Sequence, residues 1–191
     1  MFQNLCQILW QLRGGIYFYP NKQAMTLESL LKDYTTYNLW ANRLMVDWLR
    51  KKPLELMTTE VPSSFPSLHL TLLHIWGAEK VWIERLNGDS PSQFLTQYFT
   101  GNTEEVFEGL LDCSEQFRDL IAGQDAAYFS GSSSYVHING NPYTQNRAQM
   151  ILHCMQHSTY HRGQLVTIAR NLALVDPPQT DYIAHVRLQN L

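Results

Sequence analysis

His153-Cys-Met-Gln-His157-Ser-Thr-Tyr-His161-Arg-Gly-Gln164 is the stretch on which the reading of this chain turns. It lies inside a helical run from about Gln145 to Leu172, where apolar residues recur at three-to-four spacing. Residues four apart sit about 40° apart around a helix axis, so the histidines share one face, turn above turn. At 100° per residue that face also holds Met150, Cys154, Ile168 and Leu172, the stripe expected to face a core. An unpartnered imidazole there costs a few kcal/mol. Such a helix therefore needs partners that cover its stripe and a group that satisfies the rings. A metal ion is the simplest such group, because neutral imidazole is a preferred ligand of zinc, nickel and copper. Ser158, not Glu, follows His157, so the zinc-peptidase pattern with its built-in base is absent. The pattern admits either His153/His157 or His157/His161 as the chelating pair. A further ligand must come from another helix, where His74 in Leu72-Leu-His-Ile75 is better placed than His69.

Working outward, the partners are present. Leu27, Leu30/Leu31, Tyr34, Tyr37/Asn38, Ala41, Leu44/Met45 and Trp48 form a first helix from Thr26 to Arg50, ended by Pro53. A second is expected from about Ser64, with Pro66 in its first turn, to Asn87-Gly88. A third runs from about Thr103 to Ala122, with Asn102 and Glu105 as a capping box and Gly123 as its stop. Before the long fourth helix, Ser130–Ser134 reads as flexible. Tyr135–Ile138 and Asn141-Pro-Tyr143 read as a short hairpin about Asn139-Gly140. After it, Tyr182–Val186 reads as a tail docking on the bundle. The fold class is all-α, a four-helix bundle with a short β-hairpin-like loop between helices 3 and 4.

Residues 1–24 lack helical periodicity and carry Gly14-Gly15, Tyr17-Phe-Tyr19 and Pro20, so they read as an extension outside a domain spanning 25–191. An arm packing its aromatics on the body is the other reading. The chain has 191 residues, 14 Lys plus Arg against 17 Asp plus Glu, and a formal charge of −3. That argues against nucleic acid, which wants a basic face. No apolar run approaches the ~18 residues of a membrane span. The run Leu5–Leu12 has Arg13 after it and no cation before it, unlike a signal peptide, so the cytoplasm is expected. Cys6, Cys113 and Cys154 are too few and scattered for a disulfide framework. Charged residues are only 16%, against an ordinary ~25%, and with Trp10 and Tyr98 this points to a homodimer.

His157-Ser-Thr-Tyr-His161-Arg-Gly-Gln164, with Leu73-His74-Ile75, Tyr37-Asn-Leu-Trp-Ala-Asn42 and Pro177-Pro-Gln-Thr-Asp-Tyr182, resembles the DinB family of DinB/YfiT-like bundles over about Met25–Arg187. The resemblance implies a three-histidine metal site at His74, His157 and His161, with zinc or nickel as the divalent metal ion. His153 falls outside the ligand set, and Arg162, Gly163 and Gln164 stand beside or behind it. It also implies thiol-dependent transferases and isomerases, and frequent homodimers.

Three neutral ligands leave a coordination position open, as in catalytic zinc sites. The leading expectation is a metal-dependent transferase that activates a low-molecular-weight thiol for attack on a small-molecule electrophile. Glu79 lies about 140° from His74 around its helix, so neither histidine motif brings a carboxylate base, and a thiolate needs none. The alternatives are a metal-dependent hydrolase of a small ester or amide, and a metal-binding stress protein without turnover. No catalytic residue is assigned. Tyr34, Tyr37 and Asn42 read as substrate contacts or as core, Cys154 as a buried thiol, and His137 and His185 as hydrogen-bonded structural histidines. Arg162 reads as a partner of a carboxylate such as Glu79, and Gly163 as a site of close helix approach.

Overall fold

Thr26 and Ser29 each hydrogen-bond the other's backbone N–H, and this capping box starts helix α1, Leu27–Leu49. The computed structural model describes residues 24–189, so the extension expected at 1–24 lies outside the described residues except for its last position. Helix α2, Leu68–Leu86, begins later than Ser64 because Ser67 is the cap. Its hydroxyl accepts from Leu70 N at 3.1 Å, while the Pro66 carbonyl is already engaged by Val61 N. Helix α3, Thr103–Ala122, has the expected Asn102/Glu105 box and Gly123 cap.

The segment between α3 and the fourth long helix is more ordered than its serines suggest. Asp125 caps a short helix α4, Ala126–Ser130. Ser132–Val136 (β1) then pairs antiparallel with Pro142–Asn146 (β2), in the register Ser132↔Asn146 to Val136↔Pro142. Ser133 explains the difference, since its hydroxyl is buried, donates to the Leu86 carbonyl and accepts from Arg147 Nε. Gly140 takes the positive φ of 87° that closes the hairpin. Asn146 caps helix α5, Arg147–Asn171.

The long helices pack in the ring order α1–α3–α2–α5. Consecutive helices α1 and α2 therefore stand on a diagonal, as do α3 and α5, and only α2 and α3 are neighbours in both sequence and space. Two apolar clusters fill the bundle. One is built around Met45, Leu72, Phe107 and Leu165, the other around Leu31, Leu86, Phe117 and Met155. Between them lies a polar layer. Helices α2 and α3 come close where Gly109 meets the Trp76 ring, which a Cβ would overlap. Gly163, expected in that role, faces open space. The tail forms α6, Tyr182–Leu188, and docks on α1. Tyr37 Oη donates to the Thr180 carbonyl at 2.7 Å, Tyr182 donates to Asp33, and His185 is buried. Among the described residues no helix is long and apolar enough to cross a membrane.

Candidate metal centre

Helices α2 and α5 lie side by side, and His74 from one faces His157 and His161 from the other. The three Nε2 atoms form a near-equilateral triangle. His74–His157 is 3.0 Å, His74–His161 3.1 Å and His157–His161 3.1 Å. Of the two chelating pairs open on α5, the fold brings together His157/His161. His153 stays out, with its ring exposed, 6.2 Å from the His157 ring and edge-on to Trp82. His69 turns away to Thr103 Oγ1 at 3.0 Å.

The ring orientations are set from behind. Tyr160 Oη accepts from Gln164 Nε2 at 3.2 Å, which leaves Gln164 Oε1 to accept from His161 Nδ1 at 2.7 Å. His161 therefore carries its proton on Nδ1 and offers the Nε2 lone pair to the triangle. Phe65, in the connection before α2, stacks on His74 at 3.9 Å and meets His161 edge-on. Burial holds all three imidazoles in the neutral, ligating form. It lowers His74 to about 4, with the His161 charge adding to the effect, and lowers His157 to about 3. His161 is lowered by burial too, against the opposing bond from Gln164.

Convergent nitrogens at this spacing fit one ion. Bonds of about 2.0–2.1 Å at tetrahedral angles separate nitrogens by roughly 3.3 Å, close to the edges observed. Lone pairs converging in this way repel one another unless a cation or proton lies among them. His157 Nδ1 is buried without a hydrogen-bond partner among the described residues.

A second polar cluster lies one residue further along α5. Glu79 is fully buried; its Oε1 accepts from Asn38 (2.7 Å), Asn42 (3.0 Å) and Ser158 (3.0 Å), and its Oε2 accepts from Ser114 (2.6 Å). Arg162 does not touch Glu79, contrary to the expected ion pair. Its Nη1 donates to Asn38 Oδ1 and Asn42 Oδ1 at 2.7 and 2.9 Å, so two asparagines stand between cation and carboxylate. Tyr37 and Asn42 belong to this layer and do not line the histidine cavity. Burial raises the Glu79 pKa against the pull of its donors and Arg162.

His74 and His157, but not His161, open onto a cavity of about 300 Å³, at the small end of the range for ligand sites. His74, Gly77, Ala78, Val81, Trp82 and Arg85 line one side, all from α2; His153 and His157 face them from α5, and His137 reaches in from the hairpin. No Asp or Glu lines it among the described residues.

The sequence profile of the DinB family matches residues 24–190, nearly the whole chain. This chain belongs to the DinB family. It is 26% identical over 153 residues to Protein DinB of Bacillus subtilis (strain 168), spanning 76% of this chain and 87% of that one. Among solved structures, a DinB-like protein from Bacillus cereus superposes with a TM-score of 0.62 at 18% identity, covering 82% of this chain and 99% of the other. YfiT from Bacillus subtilis, described as "a probable metal-dependent hydrolase with an unusual four-helix bundle topology", superposes with a TM-score of 0.57 at 10% identity, covering 82% and 95%. The diagonal placement of α1 and α2 in this DinB-family chain is a departure from simple up-and-down order.

Several functional neighbours escaped the sequence reading. Phe65 lay in a segment read as helix. Arg85 carried a usable signal, because it follows His74 by eleven residues and so returns to the same face. His137, read as structural, lines the cavity. Of the α5 histidines only His161 is buried with the core stripe, which runs through Ile151, Cys154, Met155, Ser158, Arg162 and Leu165. His157 is half-buried at its edge and His153 is exposed.

Proposed function

We propose that this DinB-family protein is a metal-dependent enzyme that activates a low-molecular-weight thiol for attack on a small electrophile. The observation that carries the reading is a triangle of neutral imidazoles, two of which (His74 and His157) line a cavity with no carboxylate among the described residues that line it. His74, His157 and His161 would hold a divalent ion, and such an ion supplies Lewis acidity that lowers the pKa of a thiol or water bound to it. Gln164 keeps the His161 lone pair turned inward, and Phe65 shields His74 from solvent. The nearest buried carboxylate, Glu79, is held by four donors in the polar layer and is not free to act as a base. The chain's own described thiols do not serve. Cys113 and Cys154 are buried, and burial raises both pKa values, so among the described residues no thiol is placed to react and the reading takes the thiol from solution.

A second reading, hydrolysis of a small ester or amide, draws on the likeness to YfiT and on His153. That exposed imidazole near His157 could take a proton from water. The two readings separate in one assay on zinc- or nickel-loaded protein, with and without added thiol. Thiol-adduct formation with a small alkylating electrophile, lost in His157→Ala, supports transfer. Cleavage of a model ester without thiol, lost in the same variant, supports hydrolysis and removes the first reading. Metal bound without turnover of either substrate class leaves a metal-binding protein. The same proposal includes a homodimer, and a monomeric mass by light scattering would refute that part.

A further inference from the structure

Arg85 is 5% exposed and lines the histidine cavity, yet its Nε and Nη2 have no hydrogen-bond partner among the described residues. Two rings hold the guanidinium without offering it a carboxylate. Its Cζ lies 4.8 Å from the Trp82 ring centre and 4.4 Å from that of Tyr135. The adjacent acid, Glu84, is engaged by Lys80. A buried cation normally has an anion, and among the described residues none lines the cavity it faces.

The placement relative to the histidines is specific. Arg85 stands three turns beyond His74 on the same face of α2. Helical side chains lean toward the N-terminus, so the guanidinium reaches back over Trp82, on a wall of the cavity that His74 and His157 also line. Gly77, Ala78 and Val81 make a small apolar floor between the two ends. Trp82, His153 and His157 form a continuous wall of rings, with centres 5.0 and 6.2 Å apart. Nε and Nη2, both buried, are adjacent donors on one edge of the guanidinium, the edge that meets both oxygens of a carboxylate side by side, so a carboxylate seated there displaces the packing against that edge.

We propose that Arg85 is the seat for a carboxylate on the small molecule whose reactive end lies at His74, His157 and His161. The ligand class is then an elongated organic acid with an apolar middle, carrying its thiol or electrophilic carbon at the end remote from the carboxylate. This deepens the metal-enzyme reading and rests on it for the role of the far end. Arg85 itself is a specificity-determining residue that touches the ligand away from the reacting atoms.

The test uses cobalt(II)-loaded protein titrated with 3-mercaptopropionate, 6-mercaptohexanoate and the neutral 6-mercaptohexan-1-ol, reading the sulfur-to-cobalt absorption band. In parallel, metal-free protein is titrated with hexanoate and hexan-1-ol, reading tryptophan fluorescence from the Trp82 wall. The wild type is expected to prefer one mercapto acid over the alcohol by tenfold or more. Arg85→Gln should erase that preference while leaving alcohol binding and the cobalt spectrum unchanged. Arg85→Lys, which keeps the charge but not the fork, should retain part of it. A wild type indifferent to the carboxylate at both chain lengths, or an Arg85→Gln variant that keeps the preference, overturns the seat. If Arg85→Gln does not fold, the wild-type acid-to-alcohol ratio and Arg85→Lys decide the matter. Cobalt that fails to bind, with hexanoate still held in an Arg85-dependent way, removes the metal reading and leaves the seat. Cobalt bound without any acid preference does the reverse.

Discussion

His74 and Glu79 stand five residues apart on α2, and on α5 Ser158 and Arg162 each follow a triad histidine by one position. That one-residue step, about 100° of helix rotation, turns Ser158 and Arg162 to the polar layer around Glu79, Asn38 and Asn42, and His157 and His161 to His74. The inner cluster is closed around its carboxylate: each Glu79 oxygen has at least one donor, and two asparagines link it to Arg162, whose Nε alone in this layer is left without a partner among the described residues. The outer cluster is open. Its nitrogens converge on one another, His157 Nδ1 has no partner among the described residues, and a cavity adjoins it. Satisfied buried polar groups specify how helices dock, whereas groups left facing each other await a ligand.

The largest effect should come from breaking the closed cluster. Glu79→Ala strands Asn38, Asn42, Ser114 and Ser158 and leaves the Arg162 charge without its counterpart. Urea unfolding of metal-free protein should show a loss of about 3–5 kcal/mol. His74→Ala should behave oppositely, with less than about 1 kcal/mol change in the metal-free protein, because it relieves converging lone pairs. Its cost appears in metal content by mass spectrometry, which should fall from near-stoichiometric to background after dialysis. Equal destabilisation by the two variants would erase the distinction between the clusters.

A smaller effect sharpens the comparison from behind the triad. Gln164→Leu removes the acceptor that fixes the His161 proton on Nδ1. Zinc affinity, measured by competition with a chromophoric chelator, should fall about 10- to 100-fold with the fold intact. Unchanged affinity would mean that the Gln164 bond is packing rather than orientation.

How much of this was legible beforehand follows the same division. Helical periodicity and caps such as Thr26, Asn102 and Gly123 are local, and they placed the four long helices to within a few residues. Spacing by four put the α5 histidines on one face. Choosing His157/His161 over His153/His157 took the resemblance, and then the fold. Which groups meet across helices is not local. Periodicity shows a buried asparagine at position 38 or 42 but not that both insert between Arg162 and Glu79. The start of α2 was missed because Ser67, not Ser64, has its hydroxyl over a free backbone N–H. Diagonal placement of α1 and α2 depends on how residues 50–67 cross the bundle end, which no helical pattern encodes.

Acid should separate the two clusters by sign, with the smallest effect of the series. The histidines titrate near 6.5 in the unfolded chain, whereas His74 and His157 titrate at about 4 and about 3 in the fold. Between those values the unfolded chain binds more protons, so metal-free protein loses stability as pH falls from about 6.5 toward 3. The rings are partly exposed, so solvent screening holds this to about 1 kcal/mol over the window. Glu79 runs the other way. Burial raises its folded pKa above the unfolded value of 4.5, so its contribution is full below that value and is lost as pH rises through the folded pKa. Urea midpoints from pH 7 to 4 on metal-free protein should show a shallow fall that His74→Ala flattens. Glu79→Gln should make the fall steeper, because it removes the one contribution that grows with acid. Zinc-loaded protein should show a steeper fall than metal-free protein over the same range, since protons and metal compete for the same nitrogens. If Glu79→Gln flattens the profile instead, the donors and the Arg162 charge outweigh burial at Glu79, and its folded pKa lies below the unfolded value.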